Sequence, residues 1–364
     1  MVAPLIVLFA ALVVLVYLTV VDQAAEVLSA RAGIPYDPKR SRLTRGLVLA
    51  LMGALVVMMV LPKRLFEPRP PTVATWGPDS LWLGPDTAQL AFLDDDREAL
   101  VRYGRELIRN TSFYFGPKGT VAQLTNGMDC ENCHLDAGTR PWGNNYGAVW
   151  TTYPKFRERS GSNETVVKRV NDCFERSLNG TAPDSSGREM RAILAYLEWL
   201  GSGLDKGAKP KGSGIAELAY MDRAADTTSG AAIYSAKCAS CHLPDGSGVA
   251  AVDGLTYQYP PLWGPNSYNI GAGLYRLSRF AGYVRNNMPL GATWEAPQLS
   301  DAEAWDVAAY INSRQRPSRD LSGDWPRLAG KPVDHPFGPF ADSFPEHQHK
   351  YGPFAPIAAV HKKK

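Results

Sequence analysis

Four of the chain's five cysteines stand in two copies of Cys-x-x-Cys-His: Cys130-Glu131-Asn132-Cys133-His134 and Cys238-Ala239-Ser240-Cys241-His242. Two thiols at this spacing add across the vinyl groups of a porphyrin, and the adjacent histidine is held under the ring to ligate the iron. A lone Cys-x-x-Cys also reads as a zinc half-site or a redox dithiol. Here the histidine follows directly both times, and no further cysteine or histidine pairs complete a zinc tetrad. The chain is therefore expected to carry two covalently bound haem c groups, with His134 and His242 as proximal ligands. What fills the sixth position on each iron decides whether the protein only carries electrons or also does chemistry.

For the second haem the candidate is Met288, in Asn286-Asn287-Met288-Pro289. A thioether is a soft, neutral ligand that raises haem potential, and the following proline stiffens an irregular loop. A methionine packed in a loop core is the plainer alternative. For the first haem the choice is narrower. Between His134 and the following linker there is no histidine, and the lone methionine, Met190, falls inside an expected helix where it should pack. The remaining soft donor is the fifth cysteine, Cys173. It reads either as a small buried hydrophobe or as a thiolate ligand, and the lack of another donor favours the thiolate. A thiolate donates electron density, lowers the potential and brings redox chemistry to the sulfur.

The neighbours of Cys173 sharpen this reading. In a helix, Arg169, Cys173 and Ser177 are four apart and share one face, and Arg159 lies upstream in Arg157-Glu158-Arg159-Ser160-Gly161. Two arginines and a hydroxyl beside a haem-bound sulfur make an oxyanion site. A unit charge pair at about 5 Å is worth roughly 3 kcal/mol at an effective dielectric of about 20, enough to offset repulsion between a doubly charged anion and the thiolate. Haem propionates or surface carboxylates are the alternative partners for these arginines, and for Arg176.

The elements that position these groups are expected to be mainly α-helical. Apolar residues at helical spacing predict a helix over Asp94 to Arg109 before the first haem site and another over Arg188 to Leu200 after it. The pattern repeats: Gly230 to Lys237 leads into the second site, and Asp301 to Ser313 follows it, with Ser300 and Glu303 marking a helix start. Paired helices around an attachment site are the cytochrome c arrangement. This gives two tandem cytochrome c-type domains, 94–200 with the active-site haem and 229–316 with an electron-transfer haem. A Gly/Lys/Ser-rich linker at 201–228 joins them. An extended stalk rich in Pro, Gly and Trp precedes them at 63–93, and 317–364 is expected to run as an extended, Pro-rich tail. That tail holds His335, His347, His349 and His361, for which solvation is the expectation over a metal site.

The N-terminus, 1–62, is the compositional outlier. Pro4 to Val21 and Gly46 to Leu61 are apolar runs of roughly 16–18 residues, the lower limit for a membrane span. A cleaved signal peptide would place positive charge before the first run, and none is there. The expectation is a two-helix transmembrane hairpin, with Gly46, Ala50 and Ala54 as a possible packing stripe. Arg31, Lys39, Arg40, Arg42 and Arg45 place the intervening loop in the cytoplasm and both chain ends outside. Covalent haem attachment also takes place outside the bacterial inner membrane, so the haem domains are expected on its periplasmic side. The net charge of +3 gives no argument for nucleic acid, and no basic patch is interleaved with aromatics.

Arg159, the Arg169-x-x-x-Cys173-x-x-x-Ser177 run, the Cys130–His134 site followed by Leu135-Asp136-Ala137-Gly138, and the Asn286–Pro289 loop together resemble the dihaem thiosulfate dehydrogenases. The resemblance covers about Asp94 to Pro317, and the Cys173 run is its most specific part. It implies two cytochrome c domains, a His/Cys-ligated active-site haem and reversible joining of two thiosulfates into tetrathionate. On this chain Cys173 is then the distal ligand, and Arg159, Arg169 and Ser177 hold the substrate. Some relatives carry a lysine beside the methionine of the second haem, where this chain has Asn287. The expected electron acceptor is a cytochrome c or a haem-copper oxidase. The competing function is a non-catalytic dihaem relay feeding a terminal oxidase, which leaves Cys173 and its arginines unexplained.

Overall fold

The structure is a computed structural model that describes residues 79–362 continuously, with Trp76 and scattered residues between 20 and 50. The expected membrane hairpin falls almost wholly outside the described residues. Among those described, no helix is long and apolar enough to cross a membrane. The chain divides into Met1–Pro70 and Pro71–Lys364, and everything below concerns the second unit.

Two helix pairs organise it, and they are built alike. In the first, α1 (Asp95–Arg109) starts where the Asp94 carboxylate accepts from the Arg97 amide at 2.9 Å, with Asp95, Asp96 and Glu98 in its first turn. Those acids complement the orphan amides and the helix dipole. The helix then crosses the later Arg188–Leu200 helix at Gly104, where a Cβ would lie 2.0 Å from the Ala192 carbonyl oxygen. The short α2 (Val166–Asp172) lies between them in sequence, so the Arg188–Leu200 helix is α3. In the second pair, α4 (Thr227–Lys237) crosses α6 (Asp301–Ser313) at Gly230, again with a Cβ position 2.0 Å from a carbonyl, that of Asp306. A reciprocal Ser300/Glu303 capping box opens α6. The intervening α5 (Leu277–Asn287) packs on α6 and ends at Met288. The fold is mainly helical, with two short antiparallel hairpins: β1 (Lys155–Arg157) with β2 (Ser162–Glu164), and β3 (Val249–Ala250) with β4 (Tyr257–Tyr259).

Each helix pair has its own core, and each core recruits a segment expected to be peripheral. Trp82 and Leu90, from the end of the expected stalk, are buried with Leu107, Ile193 and Tyr196. The segment beyond Pro317 does not run extended and solvated. It folds into α7 (Glu346–Tyr351) and α8 (Ala355–His361), and Phe354 and Ile357 join Trp305 and Tyr234 in the second core. Two such side chains contribute on the order of 1.5–3 kcal/mol each on burial, which outweighs the absence of helical periodicity in the Pro-rich stretch. Of its histidines only His347 is exposed; His335 and His349 are buried, and His349 and His361 both bond the Asp342 carboxylate, at 3.0 and 2.8 Å. Among the described residues, no group of three or more His, Cys, Asp or Glu side chains is placed to hold a metal ion.

Candidate active site

The first attachment loop sits against one cavity of about 490 Å³. Cys130, Cys133 and His134 line it together with Cys173, and its walls include Ile108, Val149, Val166, Phe174, Ile193 and Leu197. A space walled by aliphatic side chains, with two anchoring thiols and an imidazole, suits a flat apolar macrocycle. The imidazole is already oriented for iron. His134 Nδ1 lies 2.5 Å from the Asn144 carbonyl oxygen, so it carries the proton and leaves Nε2 as the donor. Burial lowers the His134 pKa to about 4 and keeps the ring neutral, with the Asn144 bond opposing the shift. Tyr146 stacks on the ring at 4.4 Å between centroids. Gly138 makes room for that ring: it has φ 84°, and a Cβ there would fall 2.0 Å from the Tyr146 ring. The Leu135-Asp136-Ala137-Gly138 run thus has a steric reason for its glycine.

Arg159, Arg169, Cys173 and Ser177 all line this same cavity, so every sequence-predicted active-site residue arrives in one place. The helical face that was expected to carry them is modified. Regular α-helix ends at Asp172, and Cys173–Ser177 is a widened π-helical turn, closed by the Leu178 amide on the Cys173 carbonyl at 3.0 Å. Such turns recur at functional sites. Here the widening still leaves Cys173 and Ser177 on the cavity while Arg176 turns away. Arg176 makes a two-pronged bond to Asp324 of the C-terminal segment, at 2.7 Å each, and is not on the cavity wall.

The two arginines expected from the sequence, Arg159 and Arg169, differ. Arg159 Nη2 donates to Asp172 at 3.1 Å, and the buried Asp172 carboxylate also takes Lys168. Burial lowers the Arg159 pKa, as do Arg176 and Arg169, while Asp172 opposes the shift. The Arg169 guanidinium has neither an ion pair nor a hydrogen bond among the described residues, and its pKa stands above the ordinary value, first because of the Cys173 sulfur. A free guanidinium beside a sulfur, with a hydroxyl one widened turn away, is a place for an oxyanion.

Other contributors to the site were not read from the sequence. Asp172 is one residue from Cys173 and positions Arg159. Lys155 and Arg157 on β1, and Lys209 from the expected linker, also line the cavity. Trp325, in the C-terminal segment, lines it too and donates its backbone N–H to the Arg159 carbonyl at 2.7 Å. Lys155, Arg157 and Arg159 alternate, as a strand that places every second residue on one face requires, but three residues of strand are too few for that period to be read from the sequence.

The second attachment site repeats the proximal arrangement. His242 Nδ1 lies 2.9 Å from the Pro260 carbonyl, leaving Nε2 free, and burial lowers its pKa. Cys238 and Met288 both pack against the second core. Asn287 is turned toward the other domain: its amide donates to the Trp142 carbonyl at 3.2 Å and to the Tyr283 carbonyl at 2.9 Å. Tyr283 in turn donates to the Asn132 carbonyl at 3.1 Å, inside the first attachment motif. The helix that ends at Met288 is therefore bonded directly to the first haem loop.

Residues 120–205 match the SoxA/TsdA cytochrome c domain family, and residues 227–315 match the cytochrome c family. The thiosulfate dehydrogenase of Allochromatium vinosum is 39% identical over 252 residues, 68% of this chain and 86% of that protein. That of Stutzerimonas stutzeri is 37% identical over 218 residues, 60% of this chain and 68% of that protein. Among solved structures, the thiosulfate dehydrogenase (TsdBA) of Marichromatium purpuratum, as isolated, superposes with a TM-score of 0.61 at 34% identity. That match covers 72% of this chain and 54% of the other, so this chain spans about half of that structure. The chain thus holds two cytochrome c domains in tandem, consistent with two covalent haem c groups.

Proposed function

The chain belongs to the thiosulfate dehydrogenase family, and we propose that it joins two thiosulfates into tetrathionate at Cys173. The observation that carries this reading is that Cys173 shares one cavity with His134 and with Arg159, Arg169 and Ser177. An electron carrier has no use for a cysteine flanked by a free arginine.

In this reading His134 and Cys173 would hold the first iron, and His242 and Met288 the second. Bound there, the two haem groups would supply one-electron acceptance for the two electrons released per turnover, for delivery to an acceptor such as a cytochrome c or a haem-copper oxidase. Arg169 and Ser177 hold the sulfonate end of a first thiosulfate, with Arg159 fixed beside them by Asp172, so that its outer sulfur faces Cys173. The Cys173 sulfur and that outer sulfur form a bond with loss of two electrons, giving a cysteine S-thiosulfonate. A second thiosulfate attacks the outer sulfur. The bond to Cys173 breaks with its electron pair returning to the Cys173 sulfur, and tetrathionate leaves. The arginines lower the repulsion between the reacting anions.

The same reading places the N-terminal hairpin in the bacterial inner membrane and the haem domains in the periplasm, supported by the basic loop between two apolar runs. Labelling of Ser41→Cys in intact cells tests this, and modification from outside contradicts it. The test of the activity is thiosulfate-dependent ferricyanide reduction by the purified haem-loaded protein. Absence of turnover, with both haems in place, refutes the reading.

A further inference from the structure

Two thiosulfates enter each turnover, and Arg159, Arg169 and Ser177 account for one. The remaining cations of the cavity are arranged rather than scattered. Lys155 and Arg157 occupy alternate positions of β1, and Arg159 continues the alternation into the turn; all three line the cavity. The intervening residues point elsewhere: Phe156 is 46% exposed, and Glu158 pairs with Arg327 at 2.9 Å. Lys209, from the segment joining the domains, lines the same wall.

The charges there do not balance. Among the described residues, Asp129 is the one carboxylate lining the cavity, against seven cationic side chains, Lys155, Arg157, Arg159, Arg169, Lys209, Arg276 and Arg279. Arg159, Arg276 and Arg279 have carboxylate partners at 3.1, 2.6 and 3.4 Å, and Arg157 reaches Glu164 only at 3.9 Å. Lys155 and Lys209 have no carboxylate partner among the described residues. Lys155 Nζ is steadied by the Thr152 hydroxyl at 3.2 Å and the Tyr153 ring at 4.5 Å. Uncompensated cations facing a partly closed cavity are costly unless an anion joins them.

We propose that Lys155 and Lys209, with Arg157, form a second oxyanion subsite that receives the sulfonate of the incoming thiosulfate. The proposal rests on the thiosulfate reading above and adds to it a place for the second substrate. A haem propionate offers the same oxyanion chemistry, and the experiment separates the two.

Lys155 also supplies a pH signature. Burial lowers its pKa to about 8, helped by Arg157 on its own strand, Lys209 and Arg169 on α2, and opposed by Glu164 across the hairpin. Its charge is present below that value and is lost as pH rises through it. The test measures initial rates against thiosulfate concentration from pH 6 to 10, with the midpoint potential of the first haem, for wild type, Lys155→Arg and Lys155→Met. In wild type, KM should climb severalfold through about pH 8–9. Lys155→Arg, charged throughout, should flatten that rise. Lys155→Met should raise KM about tenfold at pH 7, the scale of one charged hydrogen bond, and leave kcat and the haem potential unchanged. Lys209→Met should shift KM the same way, and it serves as the second variant if Lys155→Met loads haem poorly. A shifted potential with unchanged KM assigns Lys155 to a propionate and overturns the proposal, as does a change in neither. Wild type that turns over thiosulfate while Lys155→Met keeps its KM refutes this subsite alone. Wild type that does not turn over thiosulfate refutes the parent reading as well.

Discussion

Arg159 Nη2 rests 3.1 Å from a carboxylate oxygen of Asp172, the residue immediately before Cys173. That bond makes Arg159 a positioned and partly neutralised cation, while Arg169, four residues before Cys173, stays free to meet an anion. The two arginines should therefore fail differently. Arg169→Gln removes a charged donor from the bound anion, worth about 1.5–3 kcal/mol, and should raise KM for thiosulfate by more than tenfold, at least as much as it lowers kcat. Asp172→Asn leaves both arginines in place and loosens Arg159 together with Lys168, which does not line the cavity, so kcat/KM should fall less than tenfold. Steady-state kinetics of the two variants check the order, and a larger loss in Asp172→Asn would contradict it.

A second expectation concerns acid. Asp334 anchors the C-terminal segment to the second domain, accepting from Arg276 Nε at 2.9 Å and from the Ser278 amide at 3.0 Å and hydroxyl at 2.6 Å. Burial acts to raise its pKa, but Arg276 and Ser278 outweigh it, and the carboxyl titrates below its ordinary value. A depressed carboxylate contributes stability that is complete above the unfolded pKa near 4 and is lost as pH falls through the folded value. Limited proteolysis should leave the segment beyond Pro317 intact at pH 7 and release it first on acidification. Asp334→Ala should release it at neutral pH, since stranding Arg276 costs about 3–5 kcal/mol. Equal resistance at both pH values would remove Asp334 as the anchor.

A third expectation follows from the matched helix crossings. Gly104 and Gly230 each leave no room for a Cβ against the partner helix backbone. Gly104→Val and Gly230→Val should each destabilise by about 1–3 kcal/mol or more, read as a lower melting temperature of the haem-loaded protein. A Gly104→Val protein that melts like wild type would mean that α1 and α3 do not cross there.

The attachment motifs, the paired helices and the Cys173 neighbourhood could be read from the sequence because each is a local pattern: fixed spacing, a 3.6-residue period, or an i,i+4 run. The contributions of Asp172 and Lys209 could not, because each depends on where a distant segment comes to lie. Lys155 and Arg157 sit on a strand of three residues, too short for a period of two to stand out. Proline frequency concealed the C-terminal segment, whose order comes from Phe354 and Ile357 entering a core already formed by Trp305 and Tyr234. The widened turn at Cys173–Ser177 left no mark in residue spacing, since a one-residue change in helical period keeps all three groups on the cavity.

The last expectation separates enzyme from carrier. Cys173 takes no part in haem attachment, so Cys173→Gly should carry both haems, with a denatured mass equal to wild type apart from the substitution. The variant loses the only cysteine sulfur that lines the first cavity outside the attachment motif. If that sulfur is the sixth ligand, the thiolate signature of the low-spin ferric spectrum should vanish. The potential of the first haem should also rise, because thiolate donation had lowered it. Met288 lies in the other core, so the second haem's spectrum and potential should stay as they are. Thiosulfate turnover should be abolished, since no other group on the cavity can form the sulfur–sulfur bond. A variant that keeps both the spectrum of its first haem and its turnover would show that Cys173 is packing, and would return the chain to the role of an electron relay.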